Sequence, residues 1–283
     1  MRSFAKVTVA AILGFAALGQ AGWSQHTAGA SLAEEIRASE ASTSDAQNRG
    51  SGESWLKLAQ LYQDAAQFGN AERAYNEAIR LLRPGSPDRL AYALDSLGTL
   101  FAQTGAFAKT EPLEQQALTI RQDRRDSLGT GRSRMHLAVL NLGQHKLTEA
   151  SEQAEQAVAI LVPELAGQPA ASGATPEEKM TAVIDLSLVR CAQKRCADSL
   201  PELRWALAFA TSKYTAKSMP VGFLNFLVGY ASWKSGESQG AGERMKAGLS
   251  GMETELGSGH PTYVAAKAQY EGYLRETARI ARR

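Results

Sequence analysis

The residues of this 283-residue chain that could take part in catalysis do not have the spacing of a complete catalytic motif. Ser54 and Lys57 have the S-x-x-K spacing of an acyl-enzyme, but no S-D-N or K-T-G partner accompanies them, so we interpret the match as chance. Gly129-Thr130-Gly131 lacks the strand and the third glycine of a nucleotide-binding loop. The histidines form neither a His-x3-His pair nor an H-E-x-x-H motif; they are His26, His136, His145 and His260. The sequence therefore predicts no catalytic residue, no metal ligand and no cofactor.

The two cysteines, Cys191 and Cys196, are five residues apart, at the predicted end of one helix and start of the next. An oxidising compartment would allow a disulfide across this turn. The alternative is a pair of small buried apolar side chains. A C-x4-C redox or metal site has little support, because the chain holds no other thiol and no histidine lies nearby in sequence.

Residues 1–21 have the organisation of a secretory signal peptide. Arg2 and Lys6 precede a 12-residue apolar run over 7–18, and Gly19-Gln20-Ala21 supplies small residues for a signal peptidase. We predict cleavage after Ala21, with a site after Ala30 as the alternative. An uncleaved anchor is the competing interpretation, but the apolar run is short for a span of about 20 residues. The sequence predicts an exported protein, periplasmic or secreted, with no stable membrane insertion after cleavage.

The charge balance argues against nucleic acid as a partner. The chain has 31 basic and 29 acidic residues, and removal of Arg2 and Lys6 leaves 29 of each. A neutral chain has no overall field to attract nucleic acid or an anionic membrane.

The body of the chain is an internal repeat of small residues surrounded by large apolar ones. Ala59 and Gly98 are 39 residues apart, as are Ala78 and Ala117, and Ala157 follows 40 residues later. Two further units of this kind are centred on Ser187 and Gly229. Apolar residues at spacings of three and four predict pairs of amphipathic helices, and a single pair cannot bury its apolar face, so the pairs stack.

These residues resemble the tetratricopeptide repeat (TPR) family, in its longer kinesin-light-chain-type variant of about 40 residues. The resemblance rests on the following residues in the first two units: Trp55, Leu58, Ala59, Tyr62, Ala71, Tyr75, Ala78, Leu97, Gly98, Phe101, Gly105, Phe107 and Ala117. It implies an all-α, right-handed superhelical solenoid of about five helix-turn-helix repeats plus a C-terminal capping helix. Asn141 and Arg190 depart from the pattern, since they stand where a large apolar residue is expected.

The predicted organisation is a signal peptide over 1–21, a flexible lead-in over 22–50 with a short helix around 32–37, and the solenoid over 51–283. A loop rich in proline, alanine and glycine over 163–176 is either a hinge or a long surface loop in one continuous solenoid. Thr175, Pro176 and Glu178 predict a capping box that starts the next helix.

In tetratricopeptide repeats the first helix of each pair lines a concave groove, so the resemblance implies a set of partner-binding residues. On the fifth unit these are aromatic at spacings of three and four, which suits an apolar helix or an extended segment. The alternative is that half of these side chains pack between units. The predicted groove residues are Tyr92, Asp95, Thr99, Met135, Val139, Ile184, Leu188, Phe223, Phe226, Tyr230, Trp233 and Lys234.

The sequence thus predicts a non-catalytic interaction scaffold or adaptor of the cell envelope that holds a protein or peptide partner. Two alternatives remain: an envelope hydrolase on a helical-repeat scaffold, and a structural module that self-associates through its end helices.

Overall fold

The computed structural model describes residues 32–44, 51–169 and 173–282, and the predicted signal peptide lies outside them. The described residues form twelve α-helices and two short 3-10 turns, Pro163–Ala166 and Cys196–Ser199, without a β-strand. In chain order the helices are α1 (Leu32–Ser44), α2 (Gly52–Asp64), α3 (Phe68–Leu82), α4 (Pro87–Gln103), α5 (Phe107–Asp123), α6 (Ser127–Gly143), α7 (Leu147–Leu161), α8 (Pro176–Ala192), α9 (Leu200–Lys213), α10 (Met219–Ser235), α11 (Ala241–Leu256) and α12 (Pro261–Ala281).

The chain is an all-α helical-repeat solenoid, which confirms the predicted fold class. The five pairs are α2 with α3, α4 with α5, α6 with α7, α8 with α9 and α10 with α11, and α12 follows the fifth pair. The chain divides into two compact units, of which one covers 17–140 and the other includes 141–283.

The turn inside each of the first four pairs has the same geometry. A residue with left-handed backbone ends the first helix: Ala66, Gly105, His145 and Lys194, with φ between 55° and 76°. The amide after each of them donates to the carbonyl five residues back, at 2.7 to 2.9 Å, on Tyr62, Phe101, Asn141 and Arg190. This is the Schellman arrangement, which satisfies carbonyls that the helix end would leave unpaired. The repeat that the sequence shows in its small residues is therefore also a repeat of backbone conformation.

The N-terminal unit has one apolar core that passes through successive helix pairs. Ala59, Ala71, Ala78 and Ala117 are fully buried in it, together with Tyr75 and several leucines. Alanine at these positions lets the helix axes approach, and the larger side chains fill the space beside them. The small residues of the sequence pattern thus mark where helices cross.

Part of the predicted lead-in is folded, which differs from the flexible segment expected over 22–50. Helix α1 runs from Leu32 to Ser44, longer than the short helix expected around 32–37. Ile36 is buried against Leu58 and Leu61 of α2. The helix is longer than expected, and its contacts with α2, made by Ile36 together with Leu32, attach it to the first repeat.

In the C-terminal unit, α8 begins with the predicted capping box. The Glu178 amide donates to the Thr175 side chain at 3.2 Å, and the Thr175 amide donates to the Glu178 carboxylate at 2.8 Å. Lys179, on the first turn of α8, forms an ion pair with Glu164 on the other side of the 163–176 loop. Whether this loop acts as a hinge stays a prediction.

No described helix is long and apolar enough to cross a membrane.

Candidate functional site

Three predicted groove residues of the fifth repeat, Phe226, Tyr230 and Trp233, belong to a chain of aromatic side chains on α10 and α12. Phe226 and Tyr230 have ring centroids 6.4 Å apart, and Trp233 contacts Tyr230 edge-on at 5.8 Å. Trp233 also meets Tyr273 of α12 edge-on at 5.5 Å, and Tyr273 stacks on Tyr270 at 6.1 Å. We call these five side chains the aromatic ladder. Edge-on and offset contacts are the favourable geometries for such rings.

A lysine covers the middle of the aromatic ladder. The Lys234 ammonium lies 3.3 Å from the centroid of the Trp233 ring and 5.8 Å from that of Tyr230. Partial burial lowers the pKa of Lys234, while the nearby Glu276 acts in the opposite direction. The ladder therefore combines apolar ring surface with one exposed positive charge.

The ladder differs in accessibility from end to end. Phe226 is 3% exposed and Trp233 is 9% exposed, whereas Tyr230, Tyr270 and Tyr273 are half-buried and Lys234 is exposed. Tyr270 and Tyr273 were missed by the sequence analysis, although their spacing of three on the last helix, after the aromatic run of α10, was a usable signal. Of the other predicted groove residues in this unit, Ile184 and Phe223 are buried and Leu188 is half-buried.

In the N-terminal unit the predicted groove residues differ in their exposure to solvent. Tyr92 is 41% exposed and accepts a hydrogen bond from the Gln60 amide at 2.8 Å. Thr99 is half-buried, and Met135 and Val139 are each only 7% exposed. Asp95, 4% exposed, is part of a buried polar network.

That network joins three consecutive helices. An oxygen of Asp95 on α4 lies 2.5 Å from the Arg121 guanidinium on α5, and the same guanidinium donates to Ser133 on α6 at 2.5 Å. Nδ1 of His136, also on α6, lies 3.3 Å from the carboxylate of Glu114, which is on α5. The sequence analysis missed this network because its members are far apart in the chain and only Asp95 was singled out.

Burial changes the proton affinity of the two carboxyls in the network. It raises the pKa of Asp95 to about 7, and the neighbouring Glu114 adds to that rise. Burial likewise raises the pKa of Glu114 to about 8, against the effects of Asp95 and Arg121. The positive charge of Arg121 beside Asp95 acts against burial and favours the ionised form of that carboxyl.

Asp95, Glu114 and His136 also place three potential ligand atoms within 4.8 Å of one another, a spacing that a metal ion could use. Arg121 already forms an ion pair with Asp95, and its guanidinium supplies the positive charge that a metal ion would bring. A carboxyl pair with pKa values near neutrality is also typical of acid-base catalysis. Both carboxyls are at most 4% exposed, and the contacts of the network join helices of neighbouring repeats.

Asp185 on α8 is a second buried carboxyl, which the sequence analysis did not single out. It is 2% exposed, and neither of its oxygens has a hydrogen-bond partner. Burial raises its pKa well above 3.8, because the apolar surroundings disfavour the charged form. An acidic residue in the centre of an otherwise apolar stretch, Val183-Ile184-Asp185-Leu186, was the available signal.

The structure joins Cys191, at the end of α8, to Cys196 by a disulfide, which was one of the alternatives left open by the sequence. The bond spans the turn in which Lys194 has left-handed backbone.

Comparisons with known proteins agree with this fold. Neither a protein-family model nor a curated protein sequence matches the chain. Among solved structures, BtubC (BKLC) from P. vanneervenii superposes with a TM-score of 0.66 at 17% identity, covering 81% of this chain and 94% of that one. A kinesin-light-chain-like protein from Podosopora anserina with nearly identical TPR-like repeats gives 0.57 at 17% identity, over 72% and 96% of the two chains. Aspartyl phosphate phosphatase F from Bacillus subtilis gives 0.58 at 13% identity, over 84% and 64%.

These similarities confirm the predicted resemblance to TPR-like repeats at the level of the fold. At identities of 17% or less they carry no residue-level assignment of function.

Proposed function

We propose that this chain is a non-catalytic scaffold of the cell envelope that holds a protein or peptide partner on the first-helix face of its repeats. The observation that supports the proposal most directly is the aromatic ladder on α10 and α12, with half-buried Tyr230 and Tyr273 beside the exposed Lys234. Rigid rings fixed by neighbouring helices lose little conformational entropy on binding, which favours recognition through a few anchors.

The chemistry of the ladder defines what it would recognise. Ring faces and edges favour apolar or aromatic side chains, and the exposed ammonium of Lys234 favours one acidic group beside them. We therefore propose a partner segment with large apolar residues and a carboxylate, in the form of an amphipathic helix or an extended strand.

Affinity capture from an envelope extract tests the proposal. Tyr230→Ala/Lys234→Ala removes half-buried or exposed groups of the ladder and leaves the buried Phe226 in the core. Phe209→Ala on α9 is the matched control, because it removes a half-buried aromatic ring of the same unit from a second helix, where it stacks on Trp205 at 5.2 Å.

We expect one protein to be enriched by the wild type and by the control but lost with the ladder variant, and to bind the purified wild type directly. Equal capture by all three baits, each shown by circular dichroism to be folded, would remove the ladder from consideration as a partner site.

Self-association is a second candidate, which a different observation favours. Val264, Leu274 and Ile280 on α12 are 51%, 45% and 63% exposed, a large apolar exposure for one terminal helix. Light scattering tests it: self-association requires a mass above 30.3 kDa that falls in Leu274→Lys/Ile280→Lys, and a monomer at high concentration excludes it.

A further inference from the structure

The turn inside the fifth repeat departs from the geometry of the other four. In each of the first three pairs one residue separates the left-handed residue from the second helix, as Gln67 separates Ala66 from α3. In the fifth pair four residues, 237–240, separate Gly236 from α11. Gly236 and Gly240, with φ of 89° and 71°, bracket the three additional residues. The loop from Gly236 to Gly240 is therefore an insertion relative to the first three repeats.

The same repeat also lacks the aromatic side chain that the first two repeats have at this place. Tyr62 and Phe101 lie three residues after the small residue of the first helix, and both pack against the core of the N-terminal unit. The equivalent position after Gly229 is Ser232. An aromatic ring replaced by a hydroxymethyl group leaves space, and the inserted loop forms a wall beside it.

A pocket of about 650 Å³ occupies this position. Its floor is Val228 and Ser232 of α10, which are 2% and 7% exposed. Arg204 of α9, Arg244 of α11 and the inserted loop line the rest; the loop residues are Gly236, Glu237, Ser238 and Gln239.

The polar groups of the pocket are mostly hydrogen-bond donors. Arg204 is 3.0 Å from the carboxylate of Glu237, an exposed pair. Among the residues that the structure describes, Arg244 has no ion-pair partner, and the buried Ser232 hydroxyl makes no hydrogen bond. Two guanidinium groups against one carboxylate give the pocket a formal charge of +1, with a free hydroxyl at its base.

We propose that this pocket binds an oxyanion, either a carboxylate or a phosphate group, between Arg204 and Arg244 with the Ser232 hydroxyl beneath it. Guanidinium groups bind both anions through paired, charge-assisted hydrogen bonds. Glu237 already presents a carboxylate to Arg204, and it competes with the ligand for that guanidinium. This site is separate from the aromatic ladder and does not depend on the proposed scaffold function.

Isothermal titration of the purified protein with inorganic phosphate and, separately, with succinate tests the proposal and distinguishes the two sources of the anion. We expect saturable binding of at least one of them at constant ionic strength. Arg244→Gln should weaken it about tenfold or more, since one charge-assisted interaction is lost. Glu237→Gln should tighten it, because the internal competitor for Arg204 is removed.

Ser232→Phe supplies the decisive variant. It introduces the kind of ring that Phe101 provides in the second repeat, so it should fold, and it should abolish binding by filling the pocket. Arg279→Gln, which removes an exposed positive charge on α12, should leave binding unchanged. Absence of saturable binding to both anions, undiminished binding in Ser232→Phe, or an equal loss in Arg279→Gln would each overturn the proposal.

Discussion

At the residue scale, the chain contains two ion pairs between the same two helices that differ mainly in burial. Arg121 links α5 to Asp95 of α4 with side chains 7% and 6% exposed. Arg124, the residue that follows α5, pairs with Asp88 of α4 with side chains 55% and 62% exposed. Water screens the second pair and is excluded from the first, so the two should differ strongly in their contribution to stability.

Removal of Arg121 from the buried pair is therefore predicted to lower the free energy of unfolding strongly. Arg121→Gln should lower the free energy of unfolding by about 3 kcal/mol, because it leaves Asp95 and Glu114 without a buried counter-charge. Arg124→Gln should change it by less than about 1 kcal/mol. Urea denaturation of both variants at pH 7 measures the difference, and similar losses would show that the buried network has no special role.

The unpartnered carboxyl of Asp185 predicts a specific dependence on pH. Its pKa is raised in the folded state, so its stabilising protonated form is fully populated below about pH 4, and that contribution is lost as the pH rises. Asp185→Asn cannot ionise. The variant should gain stability relative to the wild type as the pH rises from 5 to 8, by at most roughly 1 kcal/mol per pH unit, until the pH passes the folded-state pKa of Asp185. Thermal or urea unfolding across this range measures the gain, and parallel pH profiles would contradict the assignment of a neutral buried carboxyl.

At the scale of elements, helices α10 and α11 pack with their backbones in direct contact at glycines. A Cβ atom on Gly248 would lie 2.5 Å from the Gly222 carbonyl oxygen and 2.7 Å from the Phe226 amide nitrogen. Backbone atoms cannot move aside as side chains do, so these two helices depend on glycine at the crossing.

Gly248→Ala should accordingly lower the free energy of unfolding by about 1–3 kcal/mol or more. Gly69→Ala on α3 is the matched control, since a Cβ there meets nothing within 4 Å, and it should leave stability unchanged or raise it by up to about 1 kcal/mol. Chemical denaturation of the two variants provides the test. A neutral effect of Gly248→Ala would mean that α10 and α11 can separate without penalty.

The disulfide between α8 and the following 3-10 turn should contribute modestly to the stability of the folded chain. It closes a loop of only five residues in sequence separation, so loop entropy limits its contribution to about 2 kcal/mol. Cys191→Ser/Cys196→Ser should lower the unfolding midpoint without preventing folding. Reductant should then lower the midpoint of the wild type but not that of the variant; insensitivity of the wild type would indicate that the thiols are not joined in solution.

At the scale of the whole molecule, one prediction concerns the export of the protein. If residues 1–21 are a cleaved signal peptide, the protein recovered from the periplasm or medium should begin at Gly22. N-terminal sequencing of the recovered protein measures this directly. A start at Ser31 would favour the alternative site, and a chain that retains Met1 in the membrane fraction would support an uncleaved anchor.

Much of the architecture follows from local pattern. Helices cross at Ala59, Gly98 and Gly229 because only small residues let two helix axes approach closely. The regular spacing of these small residues along the sequence reflects that requirement. The capping box at Thr175 follows from the presence of Glu178 three residues later in the sequence. The full length of α1 was not apparent from the sequence, because its attachment depends on tertiary contacts such as that of Ile36 with α2.

The accessible surfaces could be identified only from the tertiary structure. Asp95 and Phe226 belong to helices identified from the sequence, but their burial depends on what neighbouring helices place against them, as Arg121 of α5 is placed against Asp95. The pocket at Ser232 has the same origin: a missing ring and three inserted residues become a cavity only when Arg204 and Arg244 from two other helices close around them. The sequence by itself therefore determined the repeat, its turns and its caps, because these depend on residues near one another in the chain. Only the tertiary structure decided which side chains are accessible, because accessibility depends on residues brought together from distant parts of the chain.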